Sequence, residues 1–198
     1  MTPLYGLVMA GGFSQRMGRD KGLISWHGKP QRLYLFELLQ SVGLPTYFSC
    51  RKEQSEALKP YPLITDEKPG AGPGGALLDA HQSFPEAAWL VLACDMPLID
   101  LATIQFLIEN REEEKMATAF RAPYFNDDSP DPLCAIWEPL AFEVLEARLK
   151  EDKRCLRKAM MSMSLNLLEP PDPEVLKNIN TPEEVKAILK EKQDLNDA

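Results

Sequence analysis

Short apolar runs alternate along the chain with stretches in which hydrophobic residues recur at helical spacing. Residues 5–10 form a continuous apolar run that stops at Gly11-Gly12, the pattern of a buried strand feeding a tight turn. From Gly12 to Pro30 the chain is polar and punctuated by glycine. Leu35, Leu38, Leu39 and Val42 then predict a helix over 32–42, ended by Gly43 and Pro45. Strand, loop and helix in that order open a β-α-β crossover. Thr46–Cys50 predicts a second strand, residues 53–59 a short helix, and Leu63–Thr65 a brief third strand ending at Asp66. Glycine and proline crowd residues 69–75 before helical spacing resumes over 76–81, from a start near Pro73. Residues 89–94 make the most apolar run of all and predict the central parallel strand, which stops abruptly at Asp95-Met96-Pro97.

Beyond it, Leu101, Ile104, Leu107 and Ile108 mark a helix, and residues 116–120 a strand. The polar, proline-rich stretch 122–132 is expected to be an exposed loop, followed by a strand over 133–137, a helix over 140–149 and a short helix around 154–161. Thr181 is placed to cap a helix, with Pro182 in its first position and Glu183 and Glu184 against its positive end. Residues 1–190 read as a single domain and 191–198 as a polar, solvated tail. No fixed-period repeat points to a solenoid. The alternation predicts an α/β fold, a three-layer α/β/α sandwich around a mainly parallel sheet.

Composition narrows what such a sandwich can bind. The 198 residues carry 22 Lys+Arg against 30 Asp+Glu, a formal net charge of −8. An acidic body lacks the broad basic footprint of a nucleic-acid binder, so any anionic ligand must meet a local basic pocket. No apolar run is long enough to span a bilayer, and Met1-Thr2-Pro3-Leu4-Tyr5 lacks the features of a secretory signal, so no membrane association and a cytoplasmic location are expected. Cys50, Cys94, Cys134 and Cys155 are widely spaced and read as buried or half-buried thiols rather than a zinc site or disulfide framework. His27 and His81 have no recognisable serine or cysteine partner, which disfavours histidine-based acid/base chemistry. Trp26 and His27 read as packing, and Met160, Met161 and Met163 as core filler.

In open α/β sheets ligands sit beyond the carboxyl ends of the strands, which singles out three segments. The first runs Gly11-Gly12-Phe13-Ser14-Gln15-Arg16-Met17-Gly18-Arg19-Asp20-Lys21. Its glycines let backbone N–H groups approach phosphate oxygens, and Arg16, Arg19 and Lys21 add positive charge, so one reading is a triphosphate cradle. The spacing is neither Gly-x-x-x-x-Gly-Lys-Ser/Thr nor Gly-x-Gly-x-x-Gly, and a flexible loop with solvated cations has the same composition. The second is Cys94-Asp95-Met96-Pro97, where a lone carboxylate leaving a core strand suits a hard divalent cation such as Mg²⁺, completed by phosphates and water. An aspartate there is equally a favoured cap for the next helix. The third, Asp66 with the small residues 70–74 behind it, either sets a carboxylate against a base or ribose or belongs to a surface turn.

Together these segments resemble one family. The run from Val8-Met9-Ala10-Gly11-Gly12 to Lys21, followed by Gly28-Lys29-Pro30, is similar to the N-terminal signature of MobA-type molybdenum cofactor guanylyltransferases. The resemblance continues in order through Asp66, Gly72-Pro73, Cys94-Asp95-Met96-Pro97, Asp131-Pro132-Leu133 and Asn178-Ile179-Asn180-Thr181-Pro182-Glu183-Glu184, across nearly the whole chain. It implies a Rossmann-like nucleotidyltransferase fold and transfer of GMP from Mg-GTP to molybdenum-bearing molybdopterin, yielding a guanine dinucleotide cofactor and pyrophosphate. On the matching positions it implies nucleotide contacts at Met9, Ala10, Gly11, Gly12, Ser14, Asp66 and Gly72. It further implies a phosphate-binding Lys21, Arg16 over the departing phosphates, and Asp95 as the Mg²⁺ ligand. Asn178 and Asn180 match positions on the pterin side of the cleft, and equally suit turn stabilisation. The implied partners are GTP and molybdopterin, with transient contacts to other cofactor-biosynthesis proteins and recipient molybdoenzymes, and neither nucleic acid nor membrane. One departure stands at the end of the second strand. Many members place an asparagine against the nucleotide there, whereas this chain has Ser49-Cys50-Arg51, with Cys50 at the matching position. The first loop resembles the guanylyl version more than the cytidylyl one, so GTP is expected over CTP. The alternatives are a related transferase using CTP or another phosphorylated acceptor, and a non-catalytic nucleotide-binding module.

Overall fold

The computed structural model describes residues 1–12, 20–66, 71–125, 129–181 and 183–188. Its strands are β1 (Leu4–Met9), β2 (Thr46–Cys50), β3 (Leu63–Thr65), β4 (Ala88–Ala93), β5 (Ala117–Arg121), β6 (Pro130–Trp137) and β7 (Leu165–Leu168). Its helices are α1 (Gln31–Ser41), α2 (Lys52–Leu58), α3 (Gly72–Ser83), α4 (Leu101–Glu109), α5 (Ala141–Lys150) and α6 (Leu156–Met160), and residues 183–188 are also helical. The strands form one sheet in the order β3-β2-β1-β4-β6-β5-β7.

The two faces of that sheet explain the apolar runs. Val8, Leu90 and Leu92 point to one side, where they pack against Leu35 and Leu39 of α1 and Ile104 and Leu107 of α4. Leu7, Trp89 and Val91 point to the other, against Leu77 of α3, Phe142 and Leu145 of α5, and Leu156 and Met160 of α6. Helices on both faces leave β4 buried along all six residues, so it has no polar side to show as alternation. Each of its large apolar side chains contributes roughly 1.5–3 kcal/mol by leaving water. No helix among the described residues is long and apolar enough to cross a membrane.

The sheet is mainly parallel, with one reversal. β1 pairs in parallel with β2 and β4, whereas β6 runs antiparallel to both β4 and β5. The expected loop over 122–132 ends earlier than its composition indicates, because Pro130 and Asp131 are buried in the first turn of pairing, Pro130 opposite Arg121. A proline is tolerated at the first residue of a strand, where no ladder donor is required. β7 has no counterpart in the sequence reading. Its four residues are all half-buried at the sheet edge, and pairing with β5, Ala117 opposite Leu165, holds them rather than alternation of their own. Cys50, Cys94 and Cys134 are buried free thiols, but Cys155 is exposed, and so is Met161, which corrects both expectations of burial. α6 carries its buried side chains from Leu156 to Met160, and these two residues flank that stretch.

Candidate active site

β1 and β4 flank the point at which the strand order changes direction. From β1 the chain moves outward to β2 and β3, then returns to β4 on the other side of β1, which opens a crevice beyond their carboxyl ends. A cleft of about 310 Å³ occupies it, and Met9, Ala10, Gly11, Gly12, Lys21, Asp66, Gly72 and Asp95 all lie on its walls. Two glycines shape it. A Cβ on Gly11 would lie 2.9 Å from Asp66 Oδ2, and Gly72 begins α3 at a φ of 70°, which β-carbon-bearing residues avoid.

Lys21 arrives on a 3-10 turn, Lys21–Leu23, whose N-cap is Asp20, with Asp20 Oδ1 accepting from Gly22 N at 2.9 Å. From this turn Lys21 Nζ donates to Asn180 Oδ1 at 2.6 Å and lies 3.5 Å from Asp95 Oδ2. Three segments distant in sequence therefore converge on one ammonium group. The C-terminal segment is held against β4 by Ile179 N donating to Asp95 O at 2.7 Å, and by a small apolar cluster of Ile24, Trp26, Ile179, Val185 and Ile188. Thr181 caps the helix that follows: its Oγ1 accepts from Glu184 N at 3.3 Å, and Glu184 Oε2 accepts from Asn180 N and Thr181 N, completing a capping box. His27 is packing, stacked on Tyr34 at 3.8 Å with Nε2 donating to Pro97 O.

The cap of α4 is Asp100, which accepts from Thr103 N at 2.8 Å, so Asp95 is not consumed by capping. Asp95 Oδ1 is buried with no hydrogen-bond partner among the described residues. Burial pushes the Asp95 carboxyl above the usual carboxylate range, and the nearby Lys21 charge opposes that shift. A buried oxygen left without a donor fits a carboxylate awaiting a cation. Among the described residues no group of three or more His, Cys, Asp or Glu side chains could hold a metal by itself, so phosphate and water oxygens would have to complete any coordination shell. Asp66 is also raised by burial, with Ser49 Oγ donating to its Oδ1 at 3.1 Å and pulling the other way.

Arg16 and Ser14 lie outside the described residues. Asn178 is exposed and does not line the cleft, whereas Asn180, two residues on, reaches Lys21. At the end of β2 the reading centred on Cys50 changes. Successive strand residues face opposite sides, so Cys50 enters the core, where burial pushes its thiol up to about 11, while Ser49 and Arg51 line the cleft. Ser49, Arg51 and Asp20 escape the sequence reading. The rule that ligands collect at strand ends, applied to β2 as it was to β1 and β4, would have found the first two.

Comparison with known proteins agrees with this fold. The profile of the MobA-like NTP transferase domain matches residues 6–166. The chain is 34% identical over 187 residues to the molybdenum cofactor biosynthesis bifunctional protein of Synechocystis sp., covering 92% of this chain and spanning about half, 53%, of that longer protein. It is 31% identical over 182 residues to the molybdenum cofactor guanylyltransferase of Pseudomonas entomophila, covering 89% of this chain and 93% of that one. The crystal structure of molybdopterin-guanine dinucleotide biosynthesis protein A from Archaeoglobus fulgidus superposes with a TM-score of 0.79 at 23% identity, over 96% of this chain and 99% of that chain, which is a likeness of fold.

Proposed function

The chain belongs to the MobA-like NTP transferase family, and we propose that it is a molybdenum cofactor guanylyltransferase, moving GMP from GTP onto molybdenum-bearing molybdopterin with release of pyrophosphate. The observation that carries this reading is the convergence of Lys21, Asp95 and Asn180 at the switch point, beside a glycine mouth.

In the proposed reaction an oxygen of the acceptor's terminal phosphate attacks the α-phosphorus of GTP in line. One P–O bond forms as the bond to the β-phosphate oxygen breaks, and pyrophosphate carries away the electron pair. The attacking oxygen is already anionic, so no strong general base is needed; the obstacles are repulsion between anions and charge growing on the leaving group. Lys21 offsets that charge from a turn whose cap fixes its backbone. Backbone at Ala10, Gly11 and Gly12 offers close approach without side chains in the way. Asp95, with its unpartnered Oδ1, would hold a divalent cation, Mg²⁺ in our reading, which when bound neutralises and aligns phosphate oxygens. Asp66, steadied by Ser49, would accept hydrogen bonds from the nucleoside. Asn180, bonded to Lys21 in this structure, would be released toward the acceptor once Lys21 turns to phosphate.

The test is a panel of GTP, CTP and ATP with Mg²⁺ and molybdenum-bearing molybdopterin, read by nucleotide incorporation and pyrophosphate release. Incorporation with GTP, and little with the other two, is expected. Preference for CTP would replace the guanylyl reading with a cytidylyl one, and binding without turnover would make the chain a nucleotide-binding module.

A further inference from the structure

One side chain near the mouth makes more hydrogen bonds than its local role needs. Gln54 is the third residue of α2, and its Oε1 accepts from Arg51 N at 3.1 Å, which satisfies the N-cap N–H at the start of that helix as in one half of a capping box. Its Nε2 faces the other way, donating to Ala10 O and to Asp20 Oδ2, both at 3.0 Å. Asp20 spends its second oxygen on Gly22 N, the cap of the turn that carries Lys21. Ala10 is in turn anchored by its own N–H on Ser49 O at 2.8 Å. An unbroken line of hydrogen bonds therefore runs from α2 through Gln54 to Asp20 and the lysine turn, with a side branch to the glycine mouth.

From this we infer that Gln54 is a positioning residue for Lys21, and that the task demands an amide. That bond to the Arg51 N–H is accepted by glutamate as well as by glutamine, so local helix chemistry does not select between them. Only glutamine has an NH₂ with two donors for two acceptors on the far side. A glutamate would turn an anionic oxygen toward the Asp20 carboxylate and the Ala10 carbonyl. The result would be repulsion in place of two hydrogen bonds, at the point that sets where the Lys21 turn sits. The inference rests on the reading of Lys21 as the cation that meets the phosphates.

The test is Gln54→Glu in two backgrounds, wild type and Lys21→Ala, assayed for GMP transfer and for thermal unfolding. The bond to Arg51 N survives but two hydrogen bonds are lost, so Tm should fall by several degrees while the protein stays folded at assay temperature. In the wild-type background kcat/KM for GTP should fall about tenfold, divided between kcat and KM as Lys21→Ala divides its own loss. In the Lys21→Ala background the same substitution should cost almost nothing further, since the group it positions is gone. Losses that simply add, or an unchanged rate for Gln54→Glu, overturn the inference while leaving the proposed function intact. Wild-type transfer by Lys21→Ala itself overturns the reading of the site and this inference with it. If Gln54→Glu folds poorly, Gln54→Met, which keeps the length and removes the two donors together with the acceptor for Arg51 N, goes through the same cycle with GTP affinity as the readout.

Discussion

Two ion pairs sit at opposite ends of the sheet, and they differ in how completely their atoms are satisfied. Glu138 follows β6, which runs in reverse, and Thr2 precedes β1, so both lie beyond the amino ends of the parallel strands. There Arg111 grips Glu138 through two bonds, 2.6 Å to Oε1 and 2.8 Å to Oε2, and donates a third to Thr2 O at 3.1 Å. Their side chains are only 9% and 3% exposed. At the carboxyl ends, Lys21 and Asp95 stand 3.5 Å apart at the wall of an open cleft, and one Asp95 oxygen has no partner among the described residues. Charges buried with every bond made tie a structure together, whereas a half-buried carboxylate with one buried oxygen left without a partner is held ready for something that arrives.

Substitutions can pull this contrast apart. The largest effect is expected from Asp95→Ala: GMP transfer dependent on a divalent cation should be abolished, while stability in urea changes by no more than about 1 kcal/mol. Pyrophosphate release at the wild-type rate would remove Asp95 from the chemistry. Arg111→Ala should do the reverse, since it strands a buried carboxylate; a stability loss of about 3–5 kcal/mol is expected, with turnover per folded molecule unchanged. If its urea midpoint barely moved, the amino-end pair would not be the tie described here. Lys21→Ala should slow transfer by about 10² or more, the scale of losing one preorganised group that stabilises transition-state charge. An equal loss from Arg111→Ala, measured on folded protein, would erase the distinction between the two ends. The smallest effect is expected from Gly11→Ala, whose added carbon must push Asp66 against its bond from Ser49, a bond worth ~0.5–1.5 kcal/mol. GTP titration should show affinity weakened several-fold with the pyrophosphate-releasing step little changed.

Much of this is legible in the amino-acid sequence. The apolar run of β4 and its sudden stop at Asp95 located both a fully covered strand and a carboxylate at its mouth, because a strand buried on both faces has nowhere else to place a polar group. Gly11 could be singled out as a position where backbone must come close, whereas the need for Gly72 lies in its positive φ and not in a close neighbour. β7 was not legible, since four half-buried residues at an edge carry no alternation and are held by their neighbour. The reversal of β6 escaped for a related reason: its hydrophobic pattern is the same whichever way the strand runs. Ser49 was hidden behind Cys50, because which of two adjacent residues faces the cleft depends on register with β1, Met9 lying opposite Ser49.

Periodicity and strand-end chemistry, both short-range properties of a chain, thus carried the fold class, the order of most elements and the candidate phosphate-binding mouth. Three matters depended on contacts between residues far apart in number: which oxygen of Asp95 is left without a donor, that Asn180 rather than Asn178 meets Lys21, and that Gln54 serves two segments besides its own helix. Hydrogen bonds reach only about 3 Å, so their pairing is settled when packing brings remote segments to that distance, and no local pattern of residues records it.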